Sequence, residues 1–278
     1  MKPAINREWQ LGFTLIELLV ALGIFLLITG AAFGLLSSSQ QRYQTESQVL
    51  TSFQEARLGL DQMVRDINDA GFPPPTFFSA SFPLQSATSP FGWSPGYTVP
   101  TPCQIGTGGG GTCITPGDFD IIIETDPNPQ DPTCVPNCPV QWIRYMLQPG
   151  GTTLMRGVVN RAPSADPAVQ TSLPGVLVPF VQNVVNSSCP PSLPQCHAAY
   201  PGIFGGGPVP IFSYTCDTPT VPQYPPPECR SAGGDNSPAN IRDVAVTLIV
   251  AAPLPDASTG QPRLVQLSGR GRRVNPNH

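Results

Sequence analysis

Of the 36 prolines in this chain, only Pro3 precedes Pro73. Proline costs about 3 kcal/mol inside a helix, so the stretch from Ala4 to Phe72 is free to be helical from end to end. The cysteines divide at the same place, since all eight follow Pro102. The break falls at Gly71-Phe72-Pro73-Pro74-Pro75. Beyond it, proline and glycine density predicts loops, turns and short strands rather than further long helices. Two kinds of structure are therefore expected in one chain.

Within the proline-free part, Leu18 to Gln41 carries no charge, and from Leu18 to Leu36 only the Thr29 side chain can form hydrogen bonds. About 20 apolar residues cross a bilayer as a helix. Lys2 and Arg7 precede the run, and basic flanks stay cytoplasmic, which puts the rest of the chain outside the inner membrane. A cleaved secretory signal is the rival reading. It is opposed by the length of the run, by the lack of an Ala-x-Ala site after it, and by a carboxylate, Glu17, at its start. An ionisable group there costs several kcal/mol unless paired, which marks it as functional.

The helical pattern continues past the apolar run. Tyr43, Leu50, Phe53, Leu60, Val64 and Ile67, with Met63 beside them, trace one face of a 3.6-residue helix. Arg42, Glu46, Glu55, Arg57, Asp61, Arg65 and Asp66 fall between them, on the side expected to be wet. A helix from Phe13 to Asp69 would be about 85 Å long, far more than an anchor needs.

Gly12-Phe13-Thr14-Leu15-Ile16-Glu17-Leu18-Leu19-Val20-Ala21-Leu22 resembles the processing signal of type IV prepilins and pseudopilins. The resemblance implies cleavage by a prepilin peptidase between Gly12 and Phe13, N-methylation of Phe13, and an acidic residue, Glu17, at the fifth mature position. The new amine at Phe13 and the Glu17 carboxylate could then neutralise each other, within one subunit or between neighbours. The implied organisation is a leader over 1–12, a transmembrane and assembly helix over 13–70, and a Pro/Cys-rich β head over 71–278. Gly23, Gly30 and Gly34 lie in the apolar run. The Gly30-x-x-x-Gly34 spacing suits close helix–helix contact or ordinary membrane-helix glycine content equally well.

In the head, Phe119–Thr125 reads as a strand, and Val140–Leu147 and Thr153–Val159 read as a hairpin about a Pro-Gly-Gly turn. Val176–Val185 reads as an edge strand because of Pro179. Ile241–Val250 and Leu264–Val274 form a second candidate pair. The fold class expected is α+β and pilin-like: a long helix, half membrane-spanning and half amphipathic, packed on an antiparallel sheet with long disulfide-tied loops. Ile143-Arg144-Tyr145-x-Leu147, Leu154-x-Arg156 and the Ile241–Leu248 strand resemble the PilW group of minor pilins, and less closely the J-type pseudopilins of type II secretion.

An even number of cysteines in a translocated domain predicts disulfides. Pairing of sequence neighbours is the simplest scheme: Cys103–Cys113, Cys134–Cys138, Cys189–Cys196 and Cys216–Cys229. A zinc site is disfavoured, because no Cys-x-x-Cys occurs and only His197 lies beside a cysteine.

Chemistry is sparse elsewhere. Two histidines, no nucleophile elbow and no phosphate loop argue against catalysis, and no cofactor is expected. Asp126 to Asp131 lacks the glycine and glutamate of a calcium hand and reads as a turn. Charged residues make up only 12% of the chain and the net charge is −4, so nucleic acid is not an expected partner. Arg263, Arg270, Arg272 and Arg273 are read as the solvent face of an edge strand, where charge discourages aggregation. The function implied is a minor pilin of a type IV pilus, first held in the inner membrane and then assembled at the cell surface. The alternatives are a secretion pseudopilin or a pilin-anchored adhesin. Expected partners are prepilin peptidase, other pilins or pseudopilins, inner-membrane lipid and a surface ligand at the tip.

Overall fold

The computed structural model describes residues 14–71, 89–97, 103–106, 112–125, 140–162, 165–191, 193–217, 228–229, 236–256 and 259–273. A single helix, α1, spans Leu15–Asn68, 54 residues, or about 80 Å. Thr14 caps its start, and the Asp69 N–H closes its end by donating to the Arg65 carbonyl at 3.1 Å. Gly71 then turns the chain with φ at 78°, a left-handed conformation suited to glycine. The Gly71 N–H donates to the Glu124 carbonyl at 2.9 Å, which ties the helix exit to the head.

The head holds two antiparallel sheets where one was expected. The first has five strands in the order β1 (Phe91–Gly92), β2 (Asp120–Thr125), β3 (Gln141–Leu147), β4 (Leu154–Asn160) and β5 (Val178–Val181). The second has β6 (Phe212–Cys216), β7 (Ile241–Pro255) and β8 (Pro262–Arg272). The β3–β4 hairpin and the β7–β8 pair fall where alternation and turn residues placed them, and β5 is an edge strand. Strand β6 was not anticipated, and neither was the division into two sheets. The sheets are stitched together by Val185 N–H to Ile249 O and Ala251 N–H to Asn183 O, both at 2.9 Å.

One core joins everything. Ala56, Leu60, Met63 and Ile67 of α1 meet Ile121, Ile123, Tyr145 and Leu154 of the first sheet and Val244, Val246 and Leu248 of the second. The face of α1 that packs differs from the expected one. Tyr43 and Leu50 are 73% and 62% exposed. At about 100° per residue they lie roughly 80–100° round the helix from Leu60. Asp66, expected to be wet, is only 6% exposed, because head residues reach over to bond it.

Strand β8 lies along α1 and runs in the same direction. Arg263 and Val265 border Val49, Ser52 and Phe53, while the Arg272 N–H donates to Asn68 Oδ1 at 2.8 Å. The approach is close because two residues of β8 lack side chains. A Cβ on Gly269 would sit 2.9 Å from Val64 Cγ2, and one on Gly271 would sit 2.5 Å from Ile67 Cγ2. The outer edge of β8 is only partly closed. Thr247 N–H bonds the Ile211 carbonyl, so odd-numbered residues of β7 face β6 and even ones face β8. From the pairing register, Leu264, Gln266, Ser268 and Arg270 therefore turn their backbone groups outward. Arg272 N–H is met by Asn68, and the Pro262 carbonyl accepts from Tyr200 Oη–H at 2.6 Å. Between these ends the edge has no partner among the described residues.

The C-terminal arginines are not one solvent face. Arg263 pairs with Asp256 at 2.6 Å, Arg270 with Asp243 at 2.8 Å, and Arg272 lies 4.0 Å from the same Asp243. Arg273 is buried, donating to Asp217 at 2.9 Å and to the Ala239 carbonyl at 2.8 Å. Its burial corrects the edge-strand reading at that position.

Candidate functional site

The residues singled out by the sequence motif, Gly12, Phe13 and Glu17, cluster at the start of the helix. Its first turn is a capping box. Glu17 N–H donates to Thr14 Oγ1 at 3.3 Å, and Glu17 Oε2 accepts from the Thr14 N–H and hydroxyl, each at 2.9 Å. A carboxylate there satisfies backbone donors that the helix leaves unpaired and lies favourably at the positive end of the helix dipole. This role went unnoticed in the sequence, although Thr14-x-x-Glu17 is the signature that announces it. Gly12 and Phe13 lie outside the described residues. Glu17 nevertheless bonds the residue immediately after Phe13.

Between Leu15 and Gln44 no side chain of α1 is buried. Leu18, Leu19, Val20, Ile24, Leu27 and Ile28 are all exposed, on every side of the helix. A helix that is apolar all round belongs in a bilayer or among other helices. This helix is long and apolar enough to cross a membrane. Its one mid-run hydroxyl, Thr29, is satisfied internally by the Phe25 carbonyl at 2.7 Å. Gly23, Gly30 and Gly34 would meet nothing within 4 Å if given a Cβ, so no contact among the described residues explains them.

At its other end the helix is locked to the head through polar groups. Asp66 Oδ2 accepts from Tyr145 Oη–H at 2.5 Å and from Arg156 at 3.0 Å, and Arg156 also donates to the Tyr145 oxygen at 2.9 Å. Burial, reinforced by the Asp66 carboxylate, pushes the Tyr145 phenol far above its usual value. Gln62 holds the other Asp66 oxygen at 2.7 Å. Sequence reading missed this lock because its partners are far apart along the chain.

Two further buried pairs fasten the first sheet. Glu124 accepts from Tyr97 Oη–H at 2.5 Å, Trp142 Nε1–H at 3.1 Å and Arg161 at 2.5 Å. Burial raises its carboxyl above the ordinary range, against the opposing pull of Arg161. Arg144 forks onto Asp120 at 2.9 and 2.6 Å. It also donates to the Ala168 carbonyl at 2.9 Å and the Ser172 hydroxyl at 2.7 Å, pinning the short helix Pro167–Thr171. These bonds tie strands of the first sheet to one another and to the short helix.

Disulfides join Cys103 to Cys113, Cys189 to Cys196 and Cys216 to Cys229. Cys134 and Cys138 lie outside the described residues, as do the Gly108–Gly111 run and the Asp126–Asp131 segment. Cys189, Cys196 and His197 cluster closely enough to suggest a metal site, but both sulfurs are consumed in their disulfide. His197 Nε2 sits 3.3 Å from the Val185 carbonyl.

The family model described as the prokaryotic N-terminal methylation motif matches residues 10–33. The chain thus carries that motif, and its N-terminal segment is prepilin-like. No curated protein matches the chain with significance. Among solved structures, a type IV-like pilin from Thermus thermophilus is similar at 10% identity, over 79% of this chain and 94% of that one, with a TM-score of 0.36. That correspondence is too loose for any residue to be mapped from it.

Proposed function

We propose that this chain is a pilin-type subunit, and more narrowly a minor pilin. It is processed by a prepilin peptidase between Gly12 and Phe13, held in the inner membrane by its helix, and drawn from there into a filament. Its role is to assemble, prime or cap, without catalysis. One observation carries the reading: a single helix is wholly uncovered along its first half and pinned into a folded head along its second. Such a helix needs a bilayer or like helices around it, and the head must follow wherever it moves. The methylation motif over residues 10–33 supports the processing step.

Glu17 has two successive duties in this scheme. In the described helix it accepts from Thr14 N–H. After cleavage a cationic amine lies one residue away, within reach of the same carboxylate or of a neighbour's. The test has two arms. Mass spectrometry of the mature protein should show a chain beginning at methylated Phe13, and an intact Met1 would remove the assignment. Glu17→Ala should insert in the membrane normally yet enter filaments poorly, and normal incorporation would refute the pairing.

A further inference from the structure

Where α1 leaves the apolar run, a cleft of about 480 Å³ lies between it and Asp256 and Arg263, lined on the helix side by Ser38, Gln41, Arg42, Thr45 and Glu46. That volume is in the range of small-molecule pockets. We propose that this cleft binds the headgroup of a phosphatidylethanolamine-type phospholipid, with the phosphate on Arg42 and the ammonium on Glu46. The proposal rests on the reading that Leu18–Leu36 spans the membrane.

Depth supports it first. Leu18–Leu36 makes about 28 Å of helix, matching a hydrocarbon core of about 30 Å. Arg42 begins about 9 Å beyond that core, just outside a headgroup layer roughly 5–7 Å thick. Helical side chains lean toward the N-terminus, which here is the membrane side. The Arg42 guanidinium is thereby directed back into the phosphate layer.

Charge supports it second. Of the four charged residues lining the cleft, Arg263 and Asp256 are engaged with each other at 2.6 Å. Arg42 and Glu46 have no ion-pair partner among the described residues. They sit one turn apart on one face, but with the cation preceding the anion, the weaker order for an i, i+4 pair. What remains is one cation and one anion about 6 Å apart along the axis. That arrangement complements a zwitterion whose phosphate lies deeper than its amine. A primary ammonium can donate three hydrogen bonds to the carboxylate and its neighbours, which a choline group cannot. A purely anionic headgroup would face the Glu46 and Asp256 carboxylates.

The full-length chain should be reconstituted in nanodiscs of equal parts phosphatidylethanolamine, phosphatidylcholine and phosphatidylglycerol. Lipids retained after release are then counted by native mass spectrometry. Wild type should keep phosphatidylethanolamine at least fivefold over either competitor. Arg42→Gln and Glu46→Gln, both at exposed helix positions, should each reduce that preference to parity while co-eluting with discs as before. Equal retention by an inserted wild type, preference for the glycerol lipid, or variants that keep the preference would overturn the headgroup site alone. A chain that did not co-elute with discs would overturn the membrane reading, and this proposal with it.

Discussion

From Leu15 to Gln44, helix α1 displays apolar side chains on all sides and buries none; from Thr45 to Asn68 it buries Thr45, Ala56, Gly59, Leu60, Met63, Asp66 and Ile67. The two stretches belong to one unbroken helix with no proline between them, yet they answer to different solvents. The second half is fixed by its own head, through a close-packed row of small and aliphatic residues and one buried carboxylate. The first half buries no side chain against any of the described residues, so a cover for its apolar surface must come from elsewhere. Intrinsic helix propensity does not distinguish the halves. Burial does.

This contrast can be attacked at four points. The largest effect should come from alkali. Burial raises the Tyr97 and Tyr145 phenols above their ordinary value, with Glu124 and Asp66 respectively adding to it. A raised folded-state pKa gives stability that is complete below the unfolded value, about 10, and is lost as pH climbs past it. The head should therefore unfold as pH rises beyond that point, with phenolate absorbance from these two tyrosines appearing only together with loss of near-ultraviolet circular dichroism. Their titration in a still-folded head would break the picture of a sealed upper half.

Next, Asp66→Ala removes the acceptor for both Tyr145 and Arg156 and should cost about 3 kcal/mol, read as a lower denaturation midpoint of the head. Gly271→Ala should cost about 2 kcal/mol by overpacking against Ile67. Hydrogen exchange should quicken where α1 and β8 meet and stay unchanged at β1–β3. Smallest of all, Leu50→Ser should alter head stability by less than about 0.5 kcal/mol, since Leu50 is exposed, whereas Leu60→Ser should be severe. A large effect from Leu50 would mean that the face on which the second half packs is misplaced.

The parts of this architecture legible in the sequence are those governed by local rules. Absence of proline and charge announced the helix, and Pro149-Gly150-Gly151 between alternating runs announced the β3–β4 hairpin. Thr14-x-x-Glu17 was equally local and was passed over in favour of the motif around it. What stayed hidden depends on residues brought together from afar. Asp66 meets Tyr145 and Arg156 at separations of 79 and 90 residues, so a rule that assigns charge to the wet side fails there. Strand β6, Phe212–Cys216, has an alternating burial pattern but only five residues. Its place beside β7 and away from the first sheet is a matter of long-range pairing. Phe53 and Leu50 look alike as apolar helix positions, and only the position of the head separates them.

The shared heading of β8 and α1 has a consequence for how two copies can meet. Joining two open β8 edges in the usual antiparallel manner demands a two-fold axis across the strands, which would aim the two anchors in opposite directions. Copies rooted in one bilayer cannot satisfy that symmetry, so their common tether forbids antiparallel joining of their β8 edges. A head cut free of its anchor loses that protection, and its bare edge becomes available to its twin.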